Sequence, residues 1–206
     1  MYWQPTPPPF KEYKAKVFSN AAAVSQFIYQ IGETPLLRQP SVTVPVDTIT
    51  SLEMQTKFTY IKTCLLNYRK LTGYGRGITA IQIGIPQCFS VVYAPADLLI
   101  IINPKITRVA HKKTRYPEIC MSANPIVVPT IRPTWVEFEY YDEKGKEKHW
   151  NTKDESDTGR LLNRVFQHEI DHMAGIINID KVESPRELIL ESDPDFYKTA
   201  TFETIA

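Results

Sequence analysis

The stretch VFQHEIDHMAG, residues 165–175, contains the spacing that decides the fold. An α-helix turns once every 3.6 residues, so His168 and His172 lie one above the other on one face, with Glu169 beside them. This is the H-E-x-x-H arrangement, in which two imidazoles hold a divalent metal and the glutamate transfers protons to and from water. Apolar residues at helical spacing precede the pair and Gly175 follows as a stop signal, so the stretch predicts a metal-binding helix.

Two of only four histidines fall at this spacing, which makes a helix with two ordinary histidines a weak alternative. A catalytic metal site has three protein ligands and one open position, so a third ligand must come from elsewhere in the chain. The candidates are an acidic residue beyond the helix, the other two histidines and the three thiols: His111, His149, Cys64, Cys88 and Cys120. A metzincin would carry a third histidine shortly after the glycine, and GIINIDKVESP contains none.

Three blocks follow one another along the chain: GRGITAIQ (75–82), EICMS (118–122) and QHEIDH (167–172). Together they resemble the peptide deformylase family, whose patterns in the same order are G-x-G-x-A-A-x-Q, E-G-C-x-S and Q-H-E-x-D-H. The resemblance covers roughly residues 29–187, which is most of the protein. Each block alone is a weak signal, and their conjunction is what predicts the family.

The resemblance implies that Cys120, His168 and His172 hold one divalent metal, with water in the fourth position. A thiolate with two imidazoles suits iron(II) and zinc alike, so the ligand set does not separate these ions. The family implies iron(II) in the native protein, with zinc or nickel in purified samples.

The same resemblance implies a reaction. The expected substrate is the N-terminal formyl-methionine of nascent polypeptides, and the products are formate and a free amino terminus. Glu169 would take a proton from water and deliver it to the leaving amine. The side-chain amide of Gln82 and the backbone N–H of Met121 would stabilise the oxyanion, because donors are needed where negative charge develops.

The departures from the family patterns lie in the substrate region, where the resemblance also places Gly77 and Leu161. Ile119 stands where glycine is usual, and a β-branched residue does not readily adopt positive φ and would crowd a substrate backbone. Arg76 stands where an aliphatic residue is usual, and Arg164 lies one helical turn before His168, where the family has an apolar residue of the methionine pocket. Thr79 replaces the first alanine of its block.

The two pocket arginines admit two interpretations. A guanidinium group binds carboxylates well, so Arg76 and Arg164 could recognise an anionic group on the substrate. Alternatively, each arginine pairs with a nearby acid or points to solvent. The acids that the sequence offers for such pairs are Glu118, Glu155 and Asp157.

Composition favours one compact domain: 206 residues, 43% of them hydrophobic, can bury a single sizeable core. We divide the chain into an extended arm with a proline run (1–28), the catalytic domain (29–187) and a short surface tail (188–206). A helix is expected over about 47–72, and strands over 88–93, 98–103, 126–131, 134–141 and 146–152. The predicted class is therefore α+β, with antiparallel sheets packed around a central metal-binding helix.

Charge and cysteine content limit the partners. A net charge of +1 provides no general attraction to DNA or membranes, and no apolar stretch is long enough to span a bilayer. Three cysteines form no disulfide framework, which fits a reducing compartment. We expect a cytoplasmic protein, with an organelle as the alternative, that meets formylated nascent chains at the ribosome. The basic stretch 105–115 could face ribosomal RNA, although a solvated sheet edge is the favoured interpretation.

Other function classes remain open at this point. A zinc peptidase would share H-E-x-x-H but would take its third ligand from the helix or from residues after it. A divergent relative with an altered formyl-amide substrate, or a catalytically silent metal-binding relative, would explain Ile119 and the two arginines. Retention of Glu169 argues for activity, because a purely structural metal site needs no proton carrier.

Overall fold

The chain folds as two antiparallel β-sheets with a helix between them, α3 (Asp157–Met173), in a computed structural model that describes residues 10–94, 97–193 and 200–205. The first sheet has the order β1 (Gly77–Thr79), β2 (Phe89–Tyr93), β3 (Leu98–Val109), β6 (Val136–Tyr141), β7 (Glu147–Trp150). The second has the order β8 (Ile189–Leu190), β5 (Ile126–Pro133), β4 (Lys113–Ile119), β9 (Glu203–Ile205). The predicted α+β class with a central helix is confirmed.

Helix α3 ends at the stop signal predicted from the sequence, whereas the position of its start was not predicted. The Ser156 hydroxyl accepts a hydrogen bond from the backbone N–H of Gly159 at 3.2 Å and so caps the first turn. Gly175 follows the last turn with φ of +76°, a left-handed conformation that favours glycine. Between these residues the apolar face of α3 packs on the first sheet, where the Phe166 ring lies 5.1 Å from that of Phe138. This packing turns the apolar face of α3 towards the first sheet.

Polar side chains of α3 add specific anchors to both sheets. The Asn163 amide oxygen accepts from the backbone N–H of Val136 at 3.1 Å, at the start of β6. The Gln167 amide donates to the carbonyl of Pro133 at 3.0 Å, at the end of β5. Because both amides are buried, losing either partner would leave an unsatisfied polar group in the core. The helix is therefore held in register with strands from both sheets.

The second long helix, α2 (Leu52–Thr72), covers the first sheet. Ser51 caps its start and Gly73 ends it with φ of +86°. Buried apolar residues along its inner face share one core with strands β1, β2 and β3: Met54, Phe58, Ile61, Cys64, Leu65 and Tyr68. The prediction over 47–72 placed its start several residues early, because residues 46–48 form a separate 3₁₀ turn.

The predicted strands are all present, and two are longer than expected: β5 by two residues and β3 by six. Strand β3 was predicted to end at residue 103 but continues to Val109, with a register shift against β6 between Ile102 and Lys105. Asn103 interrupts the regular backbone there with φ of +49°. The residues beyond it are exposed, so they lack the apolar alternation by which a strand is recognised.

The predicted extended arm is wrong for the part that the structure describes. Residues Phe10–Val24 form a helix, α1, whose buried Val17 and Val24 face the body of the protein. The segment after Pro9 contains no proline and is rich in alanine, lysine and other helix formers, which the interpretation as an extended arm overlooked. The proline run itself, within residues 1–9, lies outside the described residues.

The predicted surface tail is also corrected, because two parts of it join the second sheet. Ile189 and Leu190 pair with β5, and Glu203–Ile205 pair with β4. The Phe202 ring stacks on Tyr116 of β4 with centroids 4.5 Å apart. An exposed strand edge offers unpaired backbone groups to any segment that reaches it, so short polar stretches can pair without an apolar pattern. None of the helices described has the length and apolar character to cross a bilayer.

Candidate metal centre and active site

Three side chains bring a sulfur and two ring nitrogens together between β4 and α3. Cys120 directly follows β4, and His168 and His172 lie one turn apart on α3. One potential ligand atom from each lies within 4.8 Å of the others, and the Cys120 Sγ is 3.1 Å from the His172 Nε2. Cys120 and His172 are fully buried. The ligand set expected from the resemblance is therefore assembled in the structure.

The two histidines differ in what holds their rings. The His168 Nδ1 donates to the Glu118 carboxylate at 3.2 Å, which leaves Nε2 free to face the sulfur and His172. The His172 Nδ1 is buried and has no hydrogen-bond partner among the described residues. A second hydrogen bond normally fixes the tautomer and orientation of a metal-binding histidine. Within the described part of the chain, His168 alone of the two has one.

The electrostatics of the site fit a cation. Burial opposes protonation of His168, but the adjacent Cys120 sulfur and Glu118 carboxylate outweigh it and raise the pKa of His168 well above its usual range. Burial and the neighbouring His168 lower the pKa of His172 well below its usual value, so this imidazole is neutral, the form that binds metals. A soft sulfur, two imidazoles and a nearby carboxylate are suitable surroundings for iron(II) or zinc.

Glu169 lies beside this cluster, held by β1. The Thr79 hydroxyl donates to the Glu169 Oε2 at 2.6 Å. At Gly77 an added Cβ would overlap the Glu169 carboxylate, so glycine is needed for β1 to approach the helix this closely. Burial raises the pKa of Glu169, although His168 and Thr79 partly offset it. Such a buried, oriented carboxylate suits a proton carrier.

Gln82 and the peptide of Met121 face the same site. The Gln82 Nε2 donates to the Ser122 Oγ at 3.0 Å and lies 4.0 Å from the Cys120 Sγ, while its Oε1 accepts from the backbone N–H of Thr79 at 2.8 Å. The Cys120 carbonyl, in the same peptide unit as the Met121 N–H, accepts from the Ala123 N–H at 3.1 Å. The Gln82 amide is thus held by Ser122 and Thr79, and the Cys120–Met121 peptide is held by Ala123.

A pocket of about 420 Å³ opens beside the ligands. Glu169 and Gln82 line it. All the residues predicted to bind substrate line it too: Arg76, Gly77, Ile119, Leu161 and Arg164. Aromatic and apolar side chains form much of the remaining wall: Tyr68, Tyr74, Tyr116, Met121 and Val165. Ile119 is the last residue of β4 and pairs with Val127, and the expected difficulty with positive φ does not arise because its φ is not positive.

Arg164 forms the pair with an acid that was one of its two interpretations. Its Nε donates to the Glu118 Oε1 at 2.9 Å, and its side chain is only 2% exposed. The remaining guanidinium N–H groups donate to the backbone and hydroxyl oxygens of Thr114 and Thr130. Arg164 therefore lines the pocket with its donors already occupied. The other candidate for anion binding, Arg76, lies in the same wall and has contacts within the protein.

Several residues that organise this site were not predicted from the sequence. Arg132 of β5 donates to both oxygens of Glu118, at 2.7 and 3.0 Å, and also to the Asp171 Oδ2 at 2.6 Å. Glu118 appeared in the sequence only as a letter of a motif and as one possible partner of the pocket arginines. The available signal was QHEIDH itself, whose Asp171 lies three residues after His168 and thus on a neighbouring part of the same helix surface.

Comparisons with known proteins agree with this geometry. Along the chain, a model of the family described as "Polypeptide deformylase" matches residues 26–187. A peptide deformylase of Rhizobium meliloti is 30% identical over 162 residues, covering 76% of this chain and 85% of that relative. One from Prochlorococcus marinus is 32% identical over 122 residues, and that match covers 57% of each protein. The chain thus spans less than two thirds of the length of this second relative.

A solved structure shares the fold. It is a peptide deformylase from Synechococcus elongatus in complex with actinonin, with a TM-score of 0.63, 30% sequence identity, and coverage of 78% of this chain and 80% of that one. The fold is that of a peptide deformylase structure, and the thiol and two imidazoles form a candidate site for a metal ion. The chain belongs to the polypeptide deformylase family.

The ligand assignment predicts selective loss of metal binding in one cysteine variant. Cys120→Ala removes the sulfur, and we expect the affinity for zinc to fall at least about a hundredfold because a three-ligand site loses its only thiolate. The measurement is competition with a chromophoric chelator. Cys88→Ala is the matched control, since Cys88 is half-buried outside the ligand cluster. Equal weakening by both substitutions would contradict the assignment.

Proposed function

We propose that this chain hydrolyses the N-formyl group of peptides that begin with formyl-methionine, releasing formate and a free amino terminus. The observation that carries the proposal is that Gln82, His168 and Glu169 line one pocket of about 420 Å³, while His168 also belongs to the candidate ligand cluster with Cys120 and His172. Family membership supports the same reaction. A general base alone would fit many hydrolases, whereas the oxyanion donors beside a thiol ligand fit this one.

The chain's own residues would divide the reaction between them. Cys120, His168 and His172 would hold a divalent metal, which when bound supplies Lewis acidity that lowers the pKa of water towards neutrality. Glu169 would accept the proton of the attacking water and pass it to the nitrogen as the C–N bond breaks. Gln82 and the Met121 N–H would donate to the oxygen of the former carbonyl, where negative charge develops.

Iron(II) is the metal we propose for the native protein, following the resemblance to the family. One sulfur and two imidazoles also suit zinc, and nickel is a further candidate in purified samples. The alternative of a zinc peptidase loses its support, because its third ligand was expected on or after α3. The third member of the candidate ligand cluster is instead Cys120, upstream of the helix.

Methionine is the substrate side chain that the pocket walls favour. The donors of Arg164 are bound to Glu118, Thr114 and Thr130, so this arginine adds no anchor for a substrate carboxylate. The neighbouring walls are aromatic or apolar, and such surfaces stabilise an unbranched thioether side chain. This view replaces the anionic-pocket interpretation at Arg164 and leaves Arg76 as its remaining candidate.

A nascent chain emerging from the ribosome is the proposed source of the formylated peptide. The basic stretch 105–115 adds little support for direct RNA contact. Within it, Arg108 pairs with Glu137 at 3.6 Å and Lys112 pairs with Glu155 at 3.3 Å. Charges paired in this way attract phosphate less strongly than an unpaired cluster does. The cytoplasmic location stays a prediction.

Formate release by the iron-loaded protein tests the reaction. We expect turnover of formyl-Met-Ala-Ser, and we expect Glu169→Gln to lower kcat by about a hundredfold or more because the amide cannot accept the proton. Glu147→Gln is the matched control, since Glu147 is exposed on β7. Absence of formate from a protein that binds one metal per chain would favour an altered formyl-amide substrate or a silent relative.

Substrate preference provides a separate prediction. We expect kcat/KM for formyl-Met-Ala-Ser to exceed that for formyl-Glu-Ala-Ser by about tenfold or more, because an unpaired carboxylate is costly to transfer from water into such a pocket. Both peptides are compared at the same pH and metal loading. Equal or faster turnover of the glutamate peptide would overturn the methionine assignment, and Arg76→Leu would then identify the anion-binding residue.

A further inference from the structure

We propose that Arg164 is a positioning residue, whose guanidinium group fixes the Glu118 carboxylate and, through it, the ring of His168. The proposal rests on the proposed function for its consequence in turnover, and on the candidate metal site for its direct effect. Arg164 stands in the pocket wall, and its Nε donates to the buried Glu118 carboxylate at 2.9 Å.

All the N–H donors of Arg164 are used within the protein. The Nε donates to Glu118, and the two terminal nitrogens donate to Thr114 and Thr130 at distances of 2.6 to 2.9 Å for the shortest bonds. Five N–H groups therefore meet protein acceptors, counting the 3.4 Å contact to the Thr114 hydroxyl. A planar guanidinium held by three residues has one orientation, which makes it a rigid support.

The Glu118 carboxylate accepts four hydrogen bonds. Its Oε1 accepts from the Nε of Arg132 at 2.7 Å and from the Nε of Arg164 at 2.9 Å. Its Oε2 accepts from Arg132 at 3.0 Å and from His168 at 3.2 Å. Arg132 also donates to Asp171, so its position is a compromise between two acids. Arg164 is thus the arginine of this cluster whose charged partner is Glu118 alone.

Glu118 depends on two arginines for the balance of its charge. The buried carboxylate pairs with Arg132 at 2.7 Å and with Arg164 at 2.9 Å. Arg132 also pairs with Asp171, which has a further cationic partner in Lys181 at 3.2 Å. Without Arg164, Glu118 would share its remaining guanidinium partner with Asp171, and a buried charge that loses a partner rearranges or attracts water.

Glu118 also contacts His168, one of the candidate metal ligands. His168 has a hydrogen bond on the nitrogen that faces away from the ligand cluster, whereas within the described residues His172 has none. The orientation of one imidazole ligand therefore depends on how well Glu118 is held. Partners of this kind change metal affinity or activity by about tenfold to a hundredfold when they are removed.

The test compares three variants of the full chain with one matched control. Arg164→Met removes the donors and the charge, and Arg164→Lys keeps the charge while losing the planar fork. Thr130→Val removes one acceptor of Arg164 and leaves Glu118 untouched. The control is Arg160→Met, one turn earlier on α3, because Arg160 pairs with Glu155 and Asp157 instead. Each protein is loaded with cobalt(II) for its absorption spectrum and titrated with zinc by chelator competition.

We expect Arg164→Met to shift the cobalt bands and to weaken zinc binding by about tenfold or more. Arg164→Lys should restore part of the affinity, Thr130→Val should shift the spectrum slightly in the same direction, and Arg160→Met should match the wild type. In the formate assay, kcat of Arg164→Met should fall about tenfold while KM changes by less than about threefold.

An Arg164→Met protein with wild-type cobalt bands and zinc affinity, altered only in KM, would overturn the proposal and make Arg164 a simple wall of the pocket. If Arg164→Met does not fold, the Arg164→Lys and Thr130→Val proteins decide, and wild-type spectra in both would overturn it. Metal binding is measured without substrate, so failure of the proposed reaction is recognised separately by a wild-type protein that binds metal and releases no formate.

Discussion

The buried carboxylate of Glu118 is the constraint on which the site depends. It lies at the end of β4 and joins that strand to β5 through Arg132 and to α3 through Arg164 and His168. A carboxylate in the protein interior is tolerated only when it is paired and hydrogen-bonded, because removing it from water is costly. The carboxylate therefore fixes the distance between β4 and α3. That distance in turn sets the separation of Cys120 from the two histidines.

The apolar packing of α3 and its polar contacts have different roles. The aromatic cluster of Phe166, Phe138 and Trp150 attaches the helix to the first sheet. Such contacts are not directional and tolerate small rotations. Hydrogen bonds remove this freedom. Asn163 and Gln167 of the helix bind backbone groups of Val136 and Pro133. Glu118 of β4 binds Arg164 and His168 of the helix. Catalytic geometry needs both kinds of contact.

The sequence allowed prediction of the parts of the site that depend on local spacing. Helical periodicity alone placed His168, Glu169 and His172 on one face. It could not select the third ligand, because sequence spacing left several thiols and histidines open, and only the resemblance singled out Cys120. Pairings such as Arg132 with Asp171 join residues 39 positions apart and leave no periodic trace. Thr79 could be read only as a departure from a pattern, although its hydroxyl lies 2.6 Å from Glu169.

X-ray absorption at the zinc edge of the zinc-loaded protein shows whether one sulfur and two imidazole nitrogens bind a single metal ion. We expect one sulfur at about 2.3 Å and two imidazole nitrogens at about 2.0 to 2.1 Å, together with one further light atom. A metal without a sulfur ligand would lie away from Cys120, and a metal with two sulfur ligands would require a second thiol, so either result would overturn the proposed ligand set.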